Sequence, residues 1–323
     1  MITSEKRKKG VGNMLLEVNN LIKRYGDFLA LDHITFAINE GEIFGLLGPN
    51  GAGKTTTISI ISSLTRYDGG EVKFLGKEIK RHEMEVKREL GVVPQEIAIF
   101  EDLTAYENLD YFGRLYGLRG NLLKERIDEA LRFTGLTDRQ KDRPKGFSGG
   151  MKRRLNIACA ILHHPKLIIM DEPTVGIDPQ SRNHILQSIK ELNKMGSTII
   201  YTSHYMEEVE EICTRVAIVN HGRVIAQGTK DELTALVSTE EKLLVELSSF
   251  NYTIIEQIKS ISSIRECSIK GTSLEVIGKK GEHNVSRVIN LLTEVGIDIL
   301  SLNVEKPSLE SVFLTLTGRS LRD

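Results

Sequence analysis

The sequence predicts an α/β protein of two domains, a larger one built on a parallel sheet and a smaller α+β one after it. Strands alternate with helices over the first two thirds of the chain, which is typical of parallel sheets. Near residue 238 the pattern changes to shorter segments. A chain of 323 residues is long enough for two domains whose cores need no disulfide or metal.

The larger domain opens with three apolar stretches, and each predicts a strand: 14–18, 30–38 and 43–47. The third ends at glycine, and from Thr55 the apolar residues recur at helical spacing. The predicted order is strand, glycine loop, helix.

A helical insert is predicted over about 96–164, because charged faces alternate there with helix breaks. The predicted elements that follow it are a strand at 167–170, a helix after Pro179, a strand at 197–202, a helix to Cys213, a hairpin of 215–220 with 224–227, and a helix at 231–236.

The smaller domain reads as βαββαβ, the order of a ferredoxin-like unit. Its predicted segments are 243–247, 253–260, 266–277 as two strands around Gly271, 285–295 and 297–304, followed by a last helix at 308–316. The predicted boundaries are a flexible basic tail at 1–12, the larger domain at 13–238 and the smaller at 239–323.

The composition shows no charge bias, with 43 lysines and arginines against 44 aspartates and glutamates. Strongly basic nucleic-acid binders differ from this, so nucleic acid is not expected as a partner. We find no apolar run of about 18 residues and no secretion leader, so we expect the chain neither to span a bilayer nor to be exported. Any membrane link then goes through a partner.

Two further features suggest no chemistry of their own. Cys159, Cys213 and Cys267 lie far apart in apolar segments, which favours reduced, buried thiols over a disulfide or metal site. The four basic residues at 6–9 indicate a solvated tail, or one attracted to anionic lipid headgroups.

A glycine-rich segment follows the third strand and opens the first helix. It fits G-x-x-x-x-G-K-[ST] and reads Gly48, Pro49, Asn50, Gly51, Ala52, Gly53, Lys54, Thr55. Glycines let backbone N–H groups turn toward phosphate oxygens, and the helix start adds its positive dipole end. Lys54 can then reach the β and γ phosphates, Thr55 can ligate Mg²⁺, and Thr56 completes the predicted contacts. The alternative is a glycine turn with an exposed lysine.

Two acids end the apolar strand at 167–170. Asp171 and Glu172 therefore emerge at the carboxyl edge of the sheet, where α/β proteins bind their ligands. Asp171 can hold the metal, and Glu172 can orient or deprotonate an attacking water. Without the glycine loop the pair would indicate no more than a solvated strand end.

A second helix start, Phe147-Ser148-Gly149-Gly150-Met151, lies shortly before the acid-ended strand. Ser148 and the N–H groups of Gly149 and Gly150 form a potential anion site. Taken alone, the segment is a plain helix N-cap. It resembles the signature motif of ABC ATPases, and it stands in that family's order.

The resemblance implies two copies of the chain, or a related cassette, closing on two ATP molecules, because in the family one subunit's signature covers the ATP on the other's phosphate loop. It also implies roles for four residues. Tyr25 would stack on adenine, Gln95 would be the Q-loop glutamine at Mg²⁺, His204 the switch histidine and Asp178 the D-loop aspartate. Taken one at a time, each residue also suits a purely structural role, such as a helix cap for His204 or Asp178. Their occurrence together in the family's order favours the roles that the resemblance implies.

The resemblance to ABC ATPases extends over about 15–236, and three positions depart from the family's usual residues. Phe147 and Met151 stand where leucine and glutamine are commonest, and Val175 where serine or threonine often stands. Ser148 and both glycines remain, so we expect activity as an ATPase with Lys54, Gln95, Glu172 and His204 as its catalytic set.

The closing segment 307–318 resembles that of bacterial ABC-2 cassettes of the drug-resistance and sodium-export group. This implies an exporter with separate transmembrane permease subunits, and a cytoplasmic location at the inner face of the cell membrane. The segment after Gln95, with Ile97, Phe100 and Tyr106, is the expected permease contact. The smaller domain is expected to steady the cassette pair.

Two alternatives remain. A soluble ABC ATPase acting on nucleic acid or the ribosome would usually carry a second cassette or a long coiled coil, and neither is present. A nonhydrolysing regulatory dimer is disfavoured by the intact Lys54, Asp171, Glu172 and His204.

Overall fold

The computed structural model describes residues 13–237, 240–249, 252–270, 273–305 and 308–318. The chain forms two compact units, one that runs to Lys230 and one that spans Asp231–Gly318. The predicted tail at 1–12, and positions 238 and 239 at the predicted domain boundary, lie outside the described residues.

The first two strands form an antiparallel sheet of their own instead of joining the parallel one. The turn between them holds Gly26 at φ 58, in the left-handed region that favours glycine. The sheet has the order β2-β1-β4-β5. Its strands are β1 (Met14–Tyr25), β2 (Phe28–Asn39), β4 (Gly69–Phe74) and β5 (Lys77–Glu78).

A six-stranded, mostly parallel sheet carries the site. Its strands are β3 (Ile43–Leu47), β6 (Leu90–Val93), β7 (Leu167–Asp171), β8 (Thr198–Thr202), β9 (Arg215–Asn220) and β10 (Arg223–Gly228). The order is β10-β9-β3-β8-β7-β6, and the hairpin strand β10 runs antiparallel to its neighbour. All residues of β3 and β8 are buried, which explains their continuous apolar runs. The carboxyl ends of β3, β7 and β8 therefore meet at one edge.

The helices of the first unit are α1 (Lys54–Ile61), α2 (Glu83–Arg88), α3 (Ala105–Leu115), α4 (Gly120–Phe133), α5 (Gly149–Ile161), α6 (Pro179–Lys194) and α7 (Met206–Ile212). The predicted helical insert is confirmed by α3, α4 and α5. Thr104 and Glu107 close a capping box that begins α3. Helix α8 (Lys230–Val237) follows β10.

The core of the first unit joins its two sheets. Phe36 of β2 stacks on Phe44 of β3, with ring centroids 5.4 Å apart. Leu46 and Ile169 of the parallel sheet belong to the same buried cluster as Val18 of the antiparallel sheet. Burial of these apolar side chains fixes β3 and β7, and with them the loops at their carboxyl ends.

The second unit confirms the predicted βαββαβ order. Its elements are β11 (Glu240–Leu247), α9 (Tyr252–Lys259), β12 (Ile264–Lys270), β13 (Ser273–Lys279), α10 (Asn284–Glu294) and β14 (Ile299–Glu305). The antiparallel sheet has the order β12-β13-β11-β14. Leu243, Val276, Ile258 and Val288 belong to its core, which joins the sheet to both helices. Helix α11 (Leu309–Thr317) begins at the cap residue Ser308.

The three cysteines are free thiols, with Cys159 and Cys267 buried and Cys213 partly so. Burial raises the pKa of Cys267 to about 11, so its thiol stays protonated at neutral pH. Within the described ranges, no helix combines the length and the apolar character that crossing a membrane requires.

Candidate nucleotide-binding and catalytic site

The glycine loop at 48–53 connects the end of β3 to the start of α1, as predicted. Gly51 and Gly53 have φ of 77 and 107, where side chains are strained. A Cβ at Gly48 would lie 2.3 Å from the carbonyl oxygen of Val219, so no larger residue fits there. The tight loop leaves the first backbone N–H groups of α1 without helical partners and free to bind an anion.

Lys54 lies inside this loop and is 7% exposed. Its Nζ donates to the carbonyl oxygens of Gly48 at 2.6 Å and of Pro49 at 3.2 Å. Burial lowers the pKa of Lys54, and the nearby carboxylates of Glu172 and Asp171 act in the opposite direction. Phosphate oxygens entering the loop would meet an ammonium that is already positioned.

A cavity of about 360 Å³ opens over the loop, a size that suits a small-molecule ligand. Its wall is formed by Tyr25, Phe28, Ala30, Asn50, Gly51, Ala52, Gly53, Lys54, Thr55, Thr56, Gln95, Glu172 and His204. The structure thus brings most of the predicted site residues together. Tyr25 is 50% exposed and Phe28 65%, so two aromatic faces are available at one side. Phe28 was not predicted as a site residue.

The two acids after β7 are held by a threonine of β8. Glu172 N donates to Thr202 Oγ1 at 2.9 Å, and this hydroxyl donates to Asp171 Oδ1 at 2.7 Å. Glu172 is 6% exposed and has φ 48, a left-handed conformation that strains a residue other than glycine. Such strain is common at functional sites, where surrounding contacts hold the residue in place.

The predicted switch histidine contacts the predicted catalytic acid. His204 Nε2 lies 2.5 Å from Glu172 Oε1, and the two side chains are 21% and 8% exposed. Because a carboxylate accepts, the imidazole donates its Nε2–H. The other ring nitrogen, Nδ1, is buried and has no hydrogen-bond partner among the described residues.

The residues expected at a metal offer oxygen atoms only. They are the Thr55 hydroxyl, the Gln95 amide and the Asp171 carboxylate; the first two reach the cavity, and Thr202 links the third to Glu172. Mg²⁺ prefers such donors and completes its shell with water and substrate phosphates. The described part of the chain contains no group of three His, Cys, Asp or Glu side chains arranged for a metal.

The signature residues lie outside the wall of this cavity. Ser148 caps α5 by accepting from Met151 N at 3.2 Å. Asp178 caps α6 by accepting from Ser181 N at 2.9 Å, and this bond lowers the pKa of its carboxyl group. Gly149 is exposed, whereas Gly150 is buried against Ser181. Ser148, Gly149, Gly150 and Asp178 therefore do not line the cavity over the glycine loop.

Arg153, one turn into α5, holds the loop that carries Gln95. Its Nη1 and Nη2 donate to the carbonyl oxygens of Pro94 and Gln95, both at 2.6 Å, and it is 3% exposed. The sequence alone does not indicate this role, because an arginine between two other basic residues at 152–154 is typical of a solvated, charged helix face.

A phosphate loop between strand and helix, with acids at the end of another parallel strand of the same sheet, defines a P-loop nucleotide hydrolase. The family model for the ABC transporter matches residues 31–175. The linearmycin resistance ATP-binding protein LnrL of Bacillus subtilis (strain 168) is 46% identical over 312 residues, covering 96% of this chain and 100% of that protein.

Two further proteins extend the comparison. A Nod factor export ATP-binding protein I of Ralstonia nicotianae is 34% identical, with 97% of each chain covered. A solved ATP-binding subunit of an ABC transporter is 33% identical with a TM-score of 0.64, covering 69% of this chain and 92% of that one. The chain belongs to the ABC transporter family and is one of its ATP-binding ATPases. The resemblance drawn from the motifs is thereby confirmed.

Proposed function

We propose that the chain powers an exporter, as a dimer that closes on two ATP molecules and drives separate membrane-spanning subunits. The contact between His204 and Glu172 at the edge of the Lys54 pocket carries this proposal. The Glu172 carboxylate and its imidazole partner line the same cavity as Lys54, which supports a role for Glu172 as the base near the γ-phosphate of a bound nucleotide. The relatives named for linearmycin resistance and Nod factor export support export as the direction.

Nucleotide binding would use three parts of the pocket. Tyr25 stacks on the adenine, the N–H groups of residues 50–56 surround the phosphates, and Lys54 bridges the β and γ groups. The carbonyl oxygens that now accept from Lys54 keep its ammonium at the loop until a phosphate takes over.

Hydrolysis would rest on positioning and charge, since phosphoryl transfer needs no protein nucleophile. Glu172 orients the attacking water and accepts its proton, and His204 holds the Glu172 carboxylate in place. Thr55, Gln95 and Asp171 would hold Mg²⁺, which neutralises developing phosphate charge when bound.

The position of the signature residues outside the cavity supports a nucleotide site that is shared between two chains. Ser148 and Gly149 are exposed outside the chain's own pocket. A helix start with an exposed hydroxyl suits an anion. We infer that it covers the γ-phosphate of ATP held by a second copy or a related cassette.

An exposed apolar surface follows Gln95 and suits a membrane-spanning partner. Phe100 is 46% and Tyr111 43% exposed, and their rings make an edge contact at 5.0 Å. Ile97, three residues before Phe100 in the sequence, is 36% exposed. Tyr106 contributes less, because it is only partly exposed and its backbone N–H binds Gln140. Docking here would place the chain in the cytoplasm, against the inner face of the membrane.

The hydrolysis assignment is tested by Glu172→Gln in the full chain, with Glu191→Gln, an exposed residue of α6, as control. We expect the first variant to bind fluorescent ATP with unchanged affinity and to lose turnover, and the control to behave as wild type. Undiminished hydrolysis by Glu172→Gln contradicts the assignment.

The partner is tested by affinity purification of the chain from detergent-solubilised membranes of its native cell. We expect a membrane-spanning protein to copurify, to be lost with Phe100→Ser, and to be kept with Met195→Ser, which alters another exposed apolar residue elsewhere. Copurification of RNA or ribosomal proteins in its place would favour the soluble alternative.

A further inference from the structure

Glu208 is a buried acid that no motif of the nucleotide site includes. It lies in α7, four residues after His204, and is 1% exposed. Three hydroxyl groups donate to its Oε2: Thr174 Oγ1 at 2.9 Å, Tyr201 OH at 2.6 Å and Ser203 Oγ at 2.5 Å. Arg182 Nε lies 2.5 Å from the other oxygen, Oε1. Oε2 thus accepts three hydrogen bonds, whereas Oε1 is buried in ion-pair contact with Arg182 and has no hydrogen bond among the described residues.

These partners come from the two segments that carry the catalytic pair. Thr174 is two residues beyond Glu172, in the loop that leads to Asp178, and Ser203 directly precedes His204. Ser203 Oγ also accepts from Tyr205 N at 3.0 Å, on the other side of His204. One carboxylate thus ties the loop after β7 to the loop after β8.

Arg182 extends the same connection to the start of α6. Its guanidinium lies 4.3 Å from the ring centroid of Tyr205, and its backbone N–H donates to Asp178 O at 2.9 Å. The Arg182–Glu208 pair therefore joins the helix capped by Asp178 to the segment that holds His204. A movement of either segment would disturb the other.

The burial of this network requires that its groups stay paired. Burial, followed by the charge of Glu208, raises the pKa of Tyr201, so its phenol remains a neutral donor. Leaving a buried carboxylate or hydroxyl without its partner is costly, which makes a single arrangement of the two loops favourable.

We propose that Glu208 is a positioning residue for ATP hydrolysis, which sets the 2.5 Å contact between His204 and Glu172 by fixing the loop on either side of it. The inference rests on the proposed roles of that pair. Glu208 does not reach the nucleotide pocket, so it acts on turnover and not on ATP binding.

The test is Glu208→Gln in the full chain, with Glu207→Gln, its exposed neighbour on α7, as control. The glutamine side chain has nearly the volume of glutamate, but its NH₂ group is a donor. It must therefore face either the Arg182 guanidinium or the hydroxyl groups, which are donors as well. We expect kcat to fall roughly ten- to hundredfold, as when a catalytic geometry is displaced, while KM for ATP stays within error. The mismatched buried groups should also lower the melting temperature, so turnover is measured well below the unfolding transition of the variant. A kcat within twofold of the control overturns the proposal.

A second arm separates positioning from general structural damage. In a His204→Ala background, where the contact no longer exists, Glu208→Gln should change the residual turnover by less than about twofold. An equal loss in both backgrounds, or a rise in KM that accounts for the effect, overturns the proposal.

Should Glu208→Gln fail to fold, Thr174→Val and Ser203→Ala each remove one hydroxyl at little change in volume. We expect both to lower kcat with KM unchanged, and wild-type turnover in both contradicts the inference. Glu172→Gln separates a failure of this inference from a failure of the proposed function. If Glu172→Gln is inactive but variants of the Glu208 network keep wild-type turnover, only the inference about Glu208 fails. If Glu172→Gln is active, the proposed function itself fails.

Discussion

His204 Nε2 lies 2.5 Å from the Glu172 carboxylate, and each residue follows the carboxyl end of a different strand of the parallel sheet. The contact forms because β7 and β8 are neighbours in register, with Asp171 opposite Thr202. It holds a strained acid at the edge of the pocket.

His204→Ala tests this contact. Without the imidazole, Glu172 loses its partner, and we expect turnover to fall by about a hundredfold or more, in the range of a lost acid–base group. ATP affinity should change little. His184→Ala, on the exposed side of α6, is the control and should keep wild-type turnover in a steady-state ATPase assay. Equal turnover in both variants would contradict a role for the contact.

Tyr25 tests the adenine side of the pocket. Stacking of a base on an aromatic ring is worth about 1–3 kcal/mol, so Tyr25→Ala should raise the Kd for ATP by roughly five- to hundredfold. Tyr25→Phe keeps the ring and should bind as wild type. Fluorescent-nucleotide titration measures both, and equal affinity of the alanine and phenylalanine variants would exclude stacking at this position.

Gly150 and Gly149 form a matched pair at the start of α5. A Cβ at Gly150 would lie 2.3 Å from Ser181 Oγ, whereas one at Gly149 would meet only Ile177 Cδ1, at 3.8 Å. Gly150→Ala should therefore lower the free energy of unfolding by about 1–3 kcal/mol, as overpacking does. Gly149→Ala should not destabilise the fold. Urea denaturation compares them, and equal stability would show that α5 and α6 are not closely packed here.

His163 predicts a pH dependence of stability. Its ring stacks on Tyr116 with centroids 3.6 Å apart, and its Nε2 donates to Leu90 O at 2.9 Å. Burial is the main cause that lowers the pKa of His163 to about 4. Since the unfolded side chain titrates near 6.5, the unfolded state binds more protons between these values. Stability from neutral His163 is thus complete above about pH 6.5 and falls as the pH drops toward 4.

His163→Phe keeps the stacked ring and removes this titration. We expect the melting temperature of the wild type to fall more steeply between pH 7 and pH 5 than that of the variant, whose phenylalanine has no proton to gain. His184→Phe, an exposed position, should retain the wild-type slope. Parallel pH profiles for wild type and His163→Phe would contradict the assignment.

The sequence predicted the parallel sheet and most of the pocket because these features depend on local patterns. Buried parallel strands read as apolar runs, and the glycine loop needs residues that tolerate left-handed φ at Gly51 and Gly53. The segment that forms β4, β5, α2 and β6 was not predicted from the sequence. Short strands with mixed burial, such as β4, have no clear period.

The sheet partners of β1 and β2 could not be predicted from local sequence patterns, since the alternation of strands and helices does not indicate which sheet a strand joins. Arg153 and Glu208 were missed for a related reason. Their sequence neighbours are charged, and burial comes from contacts with Pro94, Gln95, Thr174 and Tyr201 that are distant in sequence. A charged residue is seldom fully buried unless it is paired, and the pairing is visible only in three dimensions.

In the mechanism that we propose, ATP joins two copies of the chain through the exposed signature of each. Sedimentation of Glu172→Gln with ATP and Mg²⁺ measures this directly, because blocked hydrolysis should retain the closed state. We predict a species of two 36.2 kDa chains with ATP, and single chains with ADP or after the added change Ser148→Arg at the signature. A single 36.2 kDa chain at saturating ATP, with the nucleotide bound, would contradict the account.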